Sequence, residues 1–351
     1  MHTLPNHNPS RILLIADDLT GACDAAAAFL PQNSVRVWLG ATGDSHESVQ
    51  AFNTDSRHLS PDQAAQAVTN CACALPPDSL LFKKIDSAGR GPIAAELLAA
   101  HEAFATRAII FAPSFPAHGR TVLHGVLHVS HASGTETTID LAGLFDRDLH
   151  YAIAIIGKPR SLFPAFMSGK TILICNAQTD EDLEALVAAS SELPQPVLFA
   201  GSAGLARALA AFRNDAHPRP AAPLPTAPDP LLIVGTDHPV TELQLNHLTT
   251  ELPAASLLRI PCKPADAETV RTHFAQRNPQ ALILTGGDTA LLALRSLGAH
   301  SISLRGEIAP GIPWGIIHGG LAHHRTVVTK SGGFGHAATL THILQTLAGA
   351  A

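Results

Sequence analysis

Residues 12–28, with the sequence ILLIADDLTGACDAAAA, constrain the fold more than any other part of the chain. An apolar run ends at two adjacent carboxylates, Asp17 and Asp18, and then Thr20 and Gly21 lead into a run rich in alanine. This order predicts a buried strand, a tight turn and a helix. Ligands of open α/β sheets bind beyond the carboxyl ends of the strands, and the two aspartates are expected at such an end.

The two neighbouring carboxylates need an explanation. Like charges side by side cost free energy unless a cation, a metal ion or a proton offsets them. A purely structural explanation is that Asp18 or Thr20 caps the following helix. One carboxylate is enough for a cap, so the presence of a pair favours a functional role.

Strand-like and helix-like patterns alternate along most of the chain. Strands are predicted at residues 35–39, 49–53, 80–85, 108–112, 171–175, 197–200, 231–235 and 281–285, and helices at residues 61–75, 92–105, 179–190, 201–212, 290–297 and 337–347. Strands that alternate with helices predict an α/β fold with mainly parallel sheets flanked by helices.

A proline-rich segment divides this pattern into two parts. Residues 218–230 contain six prolines and little that could pack, so they predict a semi-rigid linker. The linker separates a predicted N-terminal domain, residues 1–217, from a predicted C-terminal domain, residues 231–351. We expect a mainly parallel sheet in each domain.

The composition excludes several function classes. Hydrophobic residues make up 46% and charged residues 15% of the chain, as in globular proteins. The net charge of −6 argues against broad nucleic-acid binding, which needs a positive surface. No apolar run reaches the ~18 residues of a membrane span, the N-terminus lacks a signal-peptide core, and the five cysteines include no CxxC pair. We therefore predict a cytoplasmic protein with reduced thiols and no membrane or nucleic-acid partner.

Polar clusters follow four predicted strands of the first domain: the Asp17/Asp18 pair, residues 55–57, residues 83–87 and the loop that ends at Arg120. In a doubly wound sheet these ends line one edge. Carboxylates, cations and hydroxyls gathered there would suit a small polyhydroxylated anion. Arg57 could grip a carboxylate in a bidentate fork, Lys83 or Lys84 could place a point charge, and an aspartate could remove a hydroxyl proton. The alternative is a row of helix caps and surface ion pairs.

Glycine-rich turns follow strands in the second domain. Residues 286–289 lie between a predicted strand and a predicted helix, and residues 330–335 precede the last helix. Glycines let backbone amides approach a phosphate, and a helix N-terminus adds partial positive charge. Either turn alone is weak evidence because glycines are common in turns, but two in one small domain indicate phosphate or nucleotide. His318, His323 and His324 lie in another Gly-rich segment without HExxH spacing, which favours a solvated loop over a metal site.

The motifs, taken in order, resemble the four-carbon acid sugar kinase family, which phosphorylates threonate, erythronate and 3-oxo-tetronate. They are IADDLTGACD at 15–24, TDSRHLS at 54–60, KKIDS at 83–87, APSFPAHGRTVLHG at 112–125, AGSAGLARALA at 200–210, VGTDHPVTELQ at 234–244, LTGGDTALLALRSLG at 284–298, GEIAPGIP at 306–313 and TKSGGFG at 329–335. The resemblance implies an N-terminal domain that holds the sugar acid, a C-terminal domain that holds ATP, and transfer across the cleft between them. The active site is therefore expected in that cleft, and closure about residues 213–230 would exclude water from it.

The resemblance and the strand-end clusters together define a predicted site. The predicted substrate contacts are Asp17, Arg57, Lys83, Lys84, Ile85, Asp86, Ser87 and Arg120. The predicted nucleotide contacts are Thr236, Thr241, Gly286, Gly287, Asp288, Thr289, Gly311, Lys330 and Gly333. The predicted catalytic residues are Asp17 and Asp18; one deprotonates the attacking hydroxyl and the other lies near Mg²⁺, and which is the base stays open. The chain is thus predicted to be an ATP-dependent kinase of the terminal hydroxyl of a small sugar acid, with no metal ligands assigned and a homodimer left open.

The chain departs from the family pattern at a few positions. Ala88-Gly89 stands where the family has Thr-Leu beside the substrate, Thr236 replaces a serine, and Asn176 replaces a common aspartate. The C-terminal part also looks short between residues 248 and 281. These departures keep two alternatives open. The first is a kinase of another small hydroxy acid, and the second is a catalytically silent sugar-acid or nucleotide sensor.

Overall fold

The computed structural model of the chain describes residues 11–30, 33–41, 43, 45–76, 79–131, 134–145, 151–213 and 222–349. The predicted linker lies partly outside these ranges, since residues 214–221 are not among them. Residues 222–230 form neither helix nor strand. Within them, the buried Ala227 donates its N–H to the Leu347 carbonyl at 2.7 Å, which ties this stretch to the last helix. The two domain boundaries stay a prediction.

The N-terminal half follows the alternating pattern of its sequence. Its strands are β1 (Ile12–Ala16), β2 (Val35–Trp38), β3 (Val49–Asn53), β4 (Leu80–Lys84), β5 (Ile109–Ala112), β6 (Arg120–Leu123), β7 (Val126–Ser130), β8 (Glu136–Asp140), β9 (Ile153–Ile156), β10 (Ile172–Cys175) and β11 (Leu198–Gly201). Its helices are α1 (Leu19–Ala27), α2 (Pro61–Cys73), α3 (Ile93–Ala103), α4 (Leu162–Met167), α5 (Asp180–Ser190) and α6 (Ala203–Phe212). Helix starts follow local capping rules: Asp18 caps α1, and Ser60 and Thr179 form capping boxes at α2 and α5.

The C-terminal half repeats the strand–helix alternation. Its strands are β12 (Leu231–Val234), β13 (Leu257–Arg259), β14 (Ala281–Thr285), β15 (Ser301–Ala309), β16 (Ile312–His318) and β17 (Thr326–Lys330). Its helices are α7 (Pro239–Glu251), α8 (Asp266–Arg277), α9 (Gly287–Ser296) and α10 (Thr339–Leu347).

The strands of both halves join in one sheet of 14 strands, in the order β13-β12-β14-β17-β16-β15-β2-β3-β1-β4-β11-β5-β10-β9. In this sheet order, all neighbours from β13 to β17 are parallel, and so are all neighbours from β2 to β9. Between these two blocks the pairs β17–β16, β16–β15 and β15–β2 are antiparallel. Strands β6, β7 and β8 form a separate antiparallel sheet. The mainly parallel α/β class predicted from the sequence is therefore confirmed, and the junction between the halves is an addition to it.

The junction determines where the strand ends lie. Because of the antiparallel joints, the parallel strands of the two halves run in opposite directions, and a flat sheet would separate their carboxyl ends. Sheets twist by about 20–25° per strand, which accumulates to roughly 120–150° over the six steps from β14 to β1. The two sets of ends do meet: a Cβ added to Gly287, at the start of α9, would overlap Asp18 Oδ2.

A shared core fixes this arrangement. One apolar cluster spans both halves and includes Leu19 of α1, Leu205 of α6 and Leu294 of α9. Separate clusters fill the other face of the sheet, beneath α2 and α3 in the N-terminal half and beneath α7 and α10 in the C-terminal half. The start of α1 and the start of α9, which carry predicted site residues, are thus held against each other by buried packing.

Candidate active site

A cleft of about 820 Å³, part of it open to solvent, lies between the two halves. Its N-terminal wall includes Asp18, Lys84, Asp86 and Arg120, and its C-terminal wall consists of His238, Ser331, Gly333 and Phe334. The cleft therefore brings together residues predicted for the two substrates from opposite ends of the chain.

The Asp17/Asp18 pair divides between two environments because successive residues of an extended chain point to opposite sides. Asp18 lines the cleft and Asp17 does not. Asp18 Oδ1 accepts hydrogen bonds from the Gly21 N–H at 3.0 Å and Arg57 Nη2 at 2.7 Å, and its Oδ2 accepts from the Thr20 hydroxyl at 2.7 Å. Burial would raise the pKa of Asp18, but the charges of Arg57 and Lys84 and the Thr20 hydrogen bond outweigh it and lower the pKa. Asp18 is therefore a helix cap and also an ionised group at the cleft.

Arg57 is occupied by protein carboxylates. Its Nε donates to Asp17 Oδ2 at 2.7 Å, and its Nη2 lies 2.7 Å from Asp18 Oδ1 and 3.6 Å from Asp86 Oδ1. The sequence predicted that Arg57 grips the substrate carboxylate, and this placement argues against that role. Arg57 instead supplies the positive charge that offsets the repulsion between Asp17 and Asp18.

Lys83 and Lys84 also point to opposite sides of their strand. Lys83 is fully buried; its Nζ lies 3.0 Å from Glu96 Oε2 and donates to the Lys84 carbonyl at 2.9 Å. Ile85 packs in the same core beneath α2 and α3. Neither side chain lines the cleft, so the predicted substrate contacts of Lys83 and Ile85 are not supported. Lys84 does line it; its Nζ donates to the Ile85 carbonyl at 2.7 Å and has no carboxylate partner in the described part of the chain.

This division gives a prediction with a built-in control. Lys83→Met leaves Glu96 buried and unpaired, so the free energy of unfolding is expected to fall by about 3–5 kcal/mol. Among the described residues Lys84 makes no ion pair within 4 Å, although its charge acts on Asp18 and Asp86, so Lys84→Met should cost less stability than Lys83→Met. Urea unfolding of both variants checks this. A larger loss for Lys84→Met would contradict the assignment of the two lysines.

The Asp86 carboxylate holds the loop that follows β4 together through hydrogen bonds to residues two and four positions later. Its Oδ2 accepts hydrogen bonds from the N–H groups of Ala88 and Arg90, both at 3.2 Å, and from Arg90 Nε at 2.8 Å. Burial would raise the pKa of Asp86, but Arg90 and Arg57 hold it well below its ordinary value. Ser87 and Ala88 line the cleft beside it. Gly89 is required here: its φ is +76°, and a Cβ would overlap Ile139.

Arg120 is the second cation of the cleft that lacks a carboxylate partner among the described residues. It follows Gly119, whose φ of +70° turns the chain back onto β6. One Nη donates to the His118 carbonyl, and the buried Nε has no partner in the described ranges. Lys84 and Arg120 therefore present free positive charge to the cleft of a chain whose net charge is −6.

Two loops build the C-terminal wall, those after β12 and β17, and the loop after β14 lies beside them because β14 pairs in parallel with both strands. Gly286 has a φ of +100° and donates its N–H to the Lys330 carbonyl at 2.8 Å. No side chain caps α9, so the first N–H groups of this helix remain available to an anion. Cβ atoms on Gly332 or Gly333 would crowd Thr236 and His238, which explains the need for glycine where these loops meet.

The predicted nucleotide residues scatter more widely than expected. The Thr241 hydroxyl donates to the Gly332 carbonyl at 2.8 Å and so holds the loop from behind. Thr289 Oγ1 is buried 3.1 Å from Cys262 Sγ, and Asp288 is exposed, 3.6 Å from His58. Neither side chain lines the cleft, because both project from the sides of α9. Only their backbone N–H groups lie at the N-terminal end of the helix. Gly311 lies beside Phe334, which lines the cleft.

Sequence reasoning missed an aromatic contact between the halves. The ring of His118, from the N-terminal half, stacks on Phe334 with centroids 4.0 Å apart and an interplanar angle of 19°. Phe115 packs edge-on against Phe334 at 6.0 Å. Burial lowers the pKa of His118 to about 4, so the imidazole is neutral at pH 7. Only the full tertiary structure brings these rings together, although both lie in motifs quoted above.

Sequence reasoning also missed Asp24, which lines the cleft from the second turn of α1. It lies 3.5 Å from Arg207 Nη2, and Arg207 in turn binds Glu307 at 2.8 Å. Burial raises the pKa of Asp24 to about 6. The spacing of Asp18, Gly21 and Asp24, three residues apart on one helix face, was the signal that could have revealed it.

The raised pKa of Asp24 gives a prediction about pH. The folded state holds this proton up to a higher pH than the unfolded state, so the stability it contributes is present below about pH 4 and is lost as the pH rises through about 6. Asp24→Asn should therefore raise the free energy of unfolding at pH 8 by about 1–3 kcal/mol. At pH 4 the two proteins should be equally stable. Denaturant unfolding at both pH values checks this, and a loss of stability at pH 8 would contradict it.

The described ranges contain no group of three or more His, Cys, Asp or Glu side chains arranged to hold a metal ion. His323 and His324 are exposed, in agreement with a solvated loop. A magnesium ion that is bound together with phosphates needs only one or two protein carboxylates. Asp18, Asp24 and Asp86 line the cleft and would fit that requirement. No helix in the described ranges is long and apolar enough to cross a membrane.

Comparison with known families gives a match in each half. A family model described as a sugar-binding N-terminal domain matches residues 12–145 and 147–209, more than half of the chain. A second, described as a nucleotide-binding C-terminal domain, matches residues 263–340. The first range contains the cationic wall of the cleft, and the second contains the loops after β14 and β17.

Individual relatives match along nearly the whole chain. The D-threonate kinase of Cupriavidus necator is 31% identical over 410 aligned residues, which cover 95% of this chain and 97% of that protein. A Bordetella bronchiseptica protein, crystallised with bound citrate as a domain-swapped dimer, is 27% identical with a TM-score of 0.50, over 96% of this chain and 98% of that one. A Salmonella typhimurium LT2 structure, 18% identical, has the same fold with a TM-score of 0.72 over 95% of this chain and 98% of that one.

Proposed function

This chain belongs to the four-carbon acid sugar kinase family, and we propose that it transfers the γ-phosphoryl group of ATP to the terminal 4-hydroxyl of a four-carbon sugar acid. As a sugar-acid kinase it is a phosphotransferase with an alcohol group as acceptor. D-Threonate is the first candidate substrate because the relatives carry that name, with erythronate and 3-oxo-tetronate next.

One observation carries the proposal. The cleft has free positive charge on its N-terminal wall, at Lys84 and Arg120, and a glycine loop on its C-terminal wall, at Ser331 and Gly333. The first wall suits a small carboxylate and the second suits a polyphosphate, because backbone N–H groups bind phosphate oxygens. A phosphoryl donor and an acid acceptor bound to these walls would meet in the middle of the cleft.

The two free cations support a binding mode for the acid. The Arg120 guanidinium can hold both carboxylate oxygens in a fork, and Lys84 adds a point charge from the neighbouring strand end. Thr20 and Ser87 supply hydroxyls near the same wall. Arg57 then serves to align Asp18 and does not bind substrate directly.

Asp18 is the proposed base. It lines the cleft beside the start of α9, whereas Asp17 is turned away and held by Arg57. Phosphoryl transfer needs little covalent assistance, so an ionised carboxylate that orients the hydroxyl and accepts its proton is sufficient. The N–H groups at Gly287 and near Gly333 would hold the phosphates. Mg²⁺, held by Asp18 or Asp86 together with the phosphates, would offset charge on the moving group.

Water must be kept out of such a cleft to limit ATP hydrolysis. The stacked rings of His118 and Phe334 bridge the two walls and support this function. Closure about residues 213–230 remains our proposal for how ligands enter. A homodimer is supported by the domain-swapped dimer of the Bordetella relative.

A direct assay tests the proposal. The protein is incubated with ATP, Mg²⁺ and D-threonate, D-erythronate or other C3 to C6 aldonates, and product is followed by ADP release and ³¹P NMR. We expect a phosphomonoester on D-threonate or D-erythronate. Turnover only with another aldonate would favour the alternative substrate class, which the Ala88-Gly89 departure motivates. ATP binding without ADP release would favour a sensor, the alternative that the short C-terminal part motivates. The alignment with the D-threonate kinase has 410 positions against this chain's 351 residues, so that relative has segments that this chain lacks.

A further inference from the structure

Lys330 occupies an unusual position at the end of β17. Its side chain is fully buried, and its ammonium has no carboxylate partner among the described residues. Nζ instead donates to the carbonyls of Ser331 at 2.9 Å, Phe334 at 3.1 Å and Gly332 at 3.4 Å. Burial lowers the pKa of Lys330 to about 7. A buried lysine without a carboxylate costs stability, so packing alone does not explain it.

The Lys330 ammonium fixes the orientation of the peptide groups in the loop that follows β17. The C=O and N–H of a trans peptide point in opposite directions. Because the carbonyls of Ser331 and Gly332 face Nζ, the N–H groups of Gly332 and Gly333 face away from it. Neither N–H donates to any acceptor in the described part of the chain. The same loop lines the cleft, so these donors are available to a ligand there.

Two side chains of α7 hold the loop from the same side. The Thr241 hydroxyl donates to the Gly332 carbonyl at 2.8 Å, and Gln244 Nε2 donates to the Phe334 carbonyl at 2.9 Å. Lys330 is thus the central of three donors that fix the loop carbonyls inward. It is the only one of the three that carries charge and reaches three carbonyls.

We propose that Lys330 is a positioning residue for the nucleotide: it holds the carbonyls of Ser331, Gly332 and Phe334 inward so that the loop N–H groups face the phosphates. This inference rests on the proposed function, and it replaces the direct nucleotide contact that the sequence predicted for Lys330. Lys330 acts through the loop and does not touch the substrate.

The test is Lys330→Met, which keeps the length of the side chain and removes its charge and donors. The KM for ATP and the Kd for Mg²⁺–ADP, from calorimetry, are expected to rise at least about tenfold, while the KM for the sugar acid stays within about twofold. The melting temperature should change little, because the loss of a buried charge without a carboxylate partner offsets the loss of three hydrogen bonds. Lys263→Met, at an exposed lysine of the same half, is the matched control and should change none of these values.

The outcomes separate the inference from the proposed function. Unchanged ADP binding by Lys330→Met, with a wild-type protein that binds ADP, would overturn the inference alone. A fall of several degrees in melting temperature would also overturn it, since the lysine would then support the fold. A wild-type protein that binds no ADP would overturn both the inference and the proposed function.

Discussion

Asp18→Asn is expected to lower kcat for phosphorylation of the sugar acid by about 10²–10⁴-fold, the usual contribution of a general base. Asparagine can still cap α1 by accepting the Gly21 N–H through Oδ1, and its Nδ2 can donate to the Thr20 hydroxyl oxygen, so the fold should persist. The variant loses only the charge and the proton-accepting oxygen at the cleft. Steady-state kinetics with D-threonate and calorimetry with ADP measure the two effects, and the Kd for ADP should stay within about threefold.

Asp17→Asn is the matched control at the neighbouring position. Asp17 does not line the cleft, and an asparagine oxygen can still accept from Arg57 Nε. We expect a loss in kcat of no more than about tenfold, from a less rigid Arg57. A greater loss for Asp17→Asn than for Asp18→Asn would exchange the roles of the two carboxylates.

Arg120→Gln is expected to raise the KM for the sugar acid by roughly 10–100-fold, because a charge-assisted hydrogen bond to a carboxylate contributes about 1.5–3 kcal/mol. The KM for ATP should change little, since Arg120 belongs to the opposite wall from the glycine loop. The double variant with Lys84→Met should lose more than either alone.

Arg107→Gln provides the control for Arg120, because Arg107 is exposed and lies in the same half, outside the cleft. It should leave both KM values unchanged. If Arg120→Gln raised the KM for ATP and left that for the acid unaffected, the assignment of the two walls would be reversed.

The sequence predicted the local elements of the fold well. The strands at 49–53 and 281–285 have the predicted bounds, because each is a compact apolar run with polar ends. Helix α9 begins at Gly287, three residues before the prediction, because the glycines that indicate a turn also start the helix. Strands β15 to β17 and helix α8 were not predicted. Nothing local marks β15 as the partner of β2, more than 260 residues away, so the single sheet could not be inferred.

The structure places several predicted site residues away from the cleft, and these differences have two physical origins. The side-chain alternation of strands places Lys83 and Lys84, like Asp17 and Asp18, on opposite sides, and this rule could have been applied to the sequence. The partners of Arg57 and Lys330, in contrast, depend on tertiary contacts. Both cations were expected to bind ligand, and the structure shows them bound to protein oxygens.

The most direct test of the account is a crystal structure with a non-hydrolysable ATP analogue, Mg²⁺ and D-threonate. The account predicts the threonate carboxylate against Lys84 and Arg120, the phosphates against Gly287 and Gly333, and the 4-hydroxyl oxygen about 2.6–3.2 Å from an Asp18 carboxylate oxygen. A ligand bound outside this cleft, or a terminal hydroxyl beyond the reach of Asp18, would contradict it.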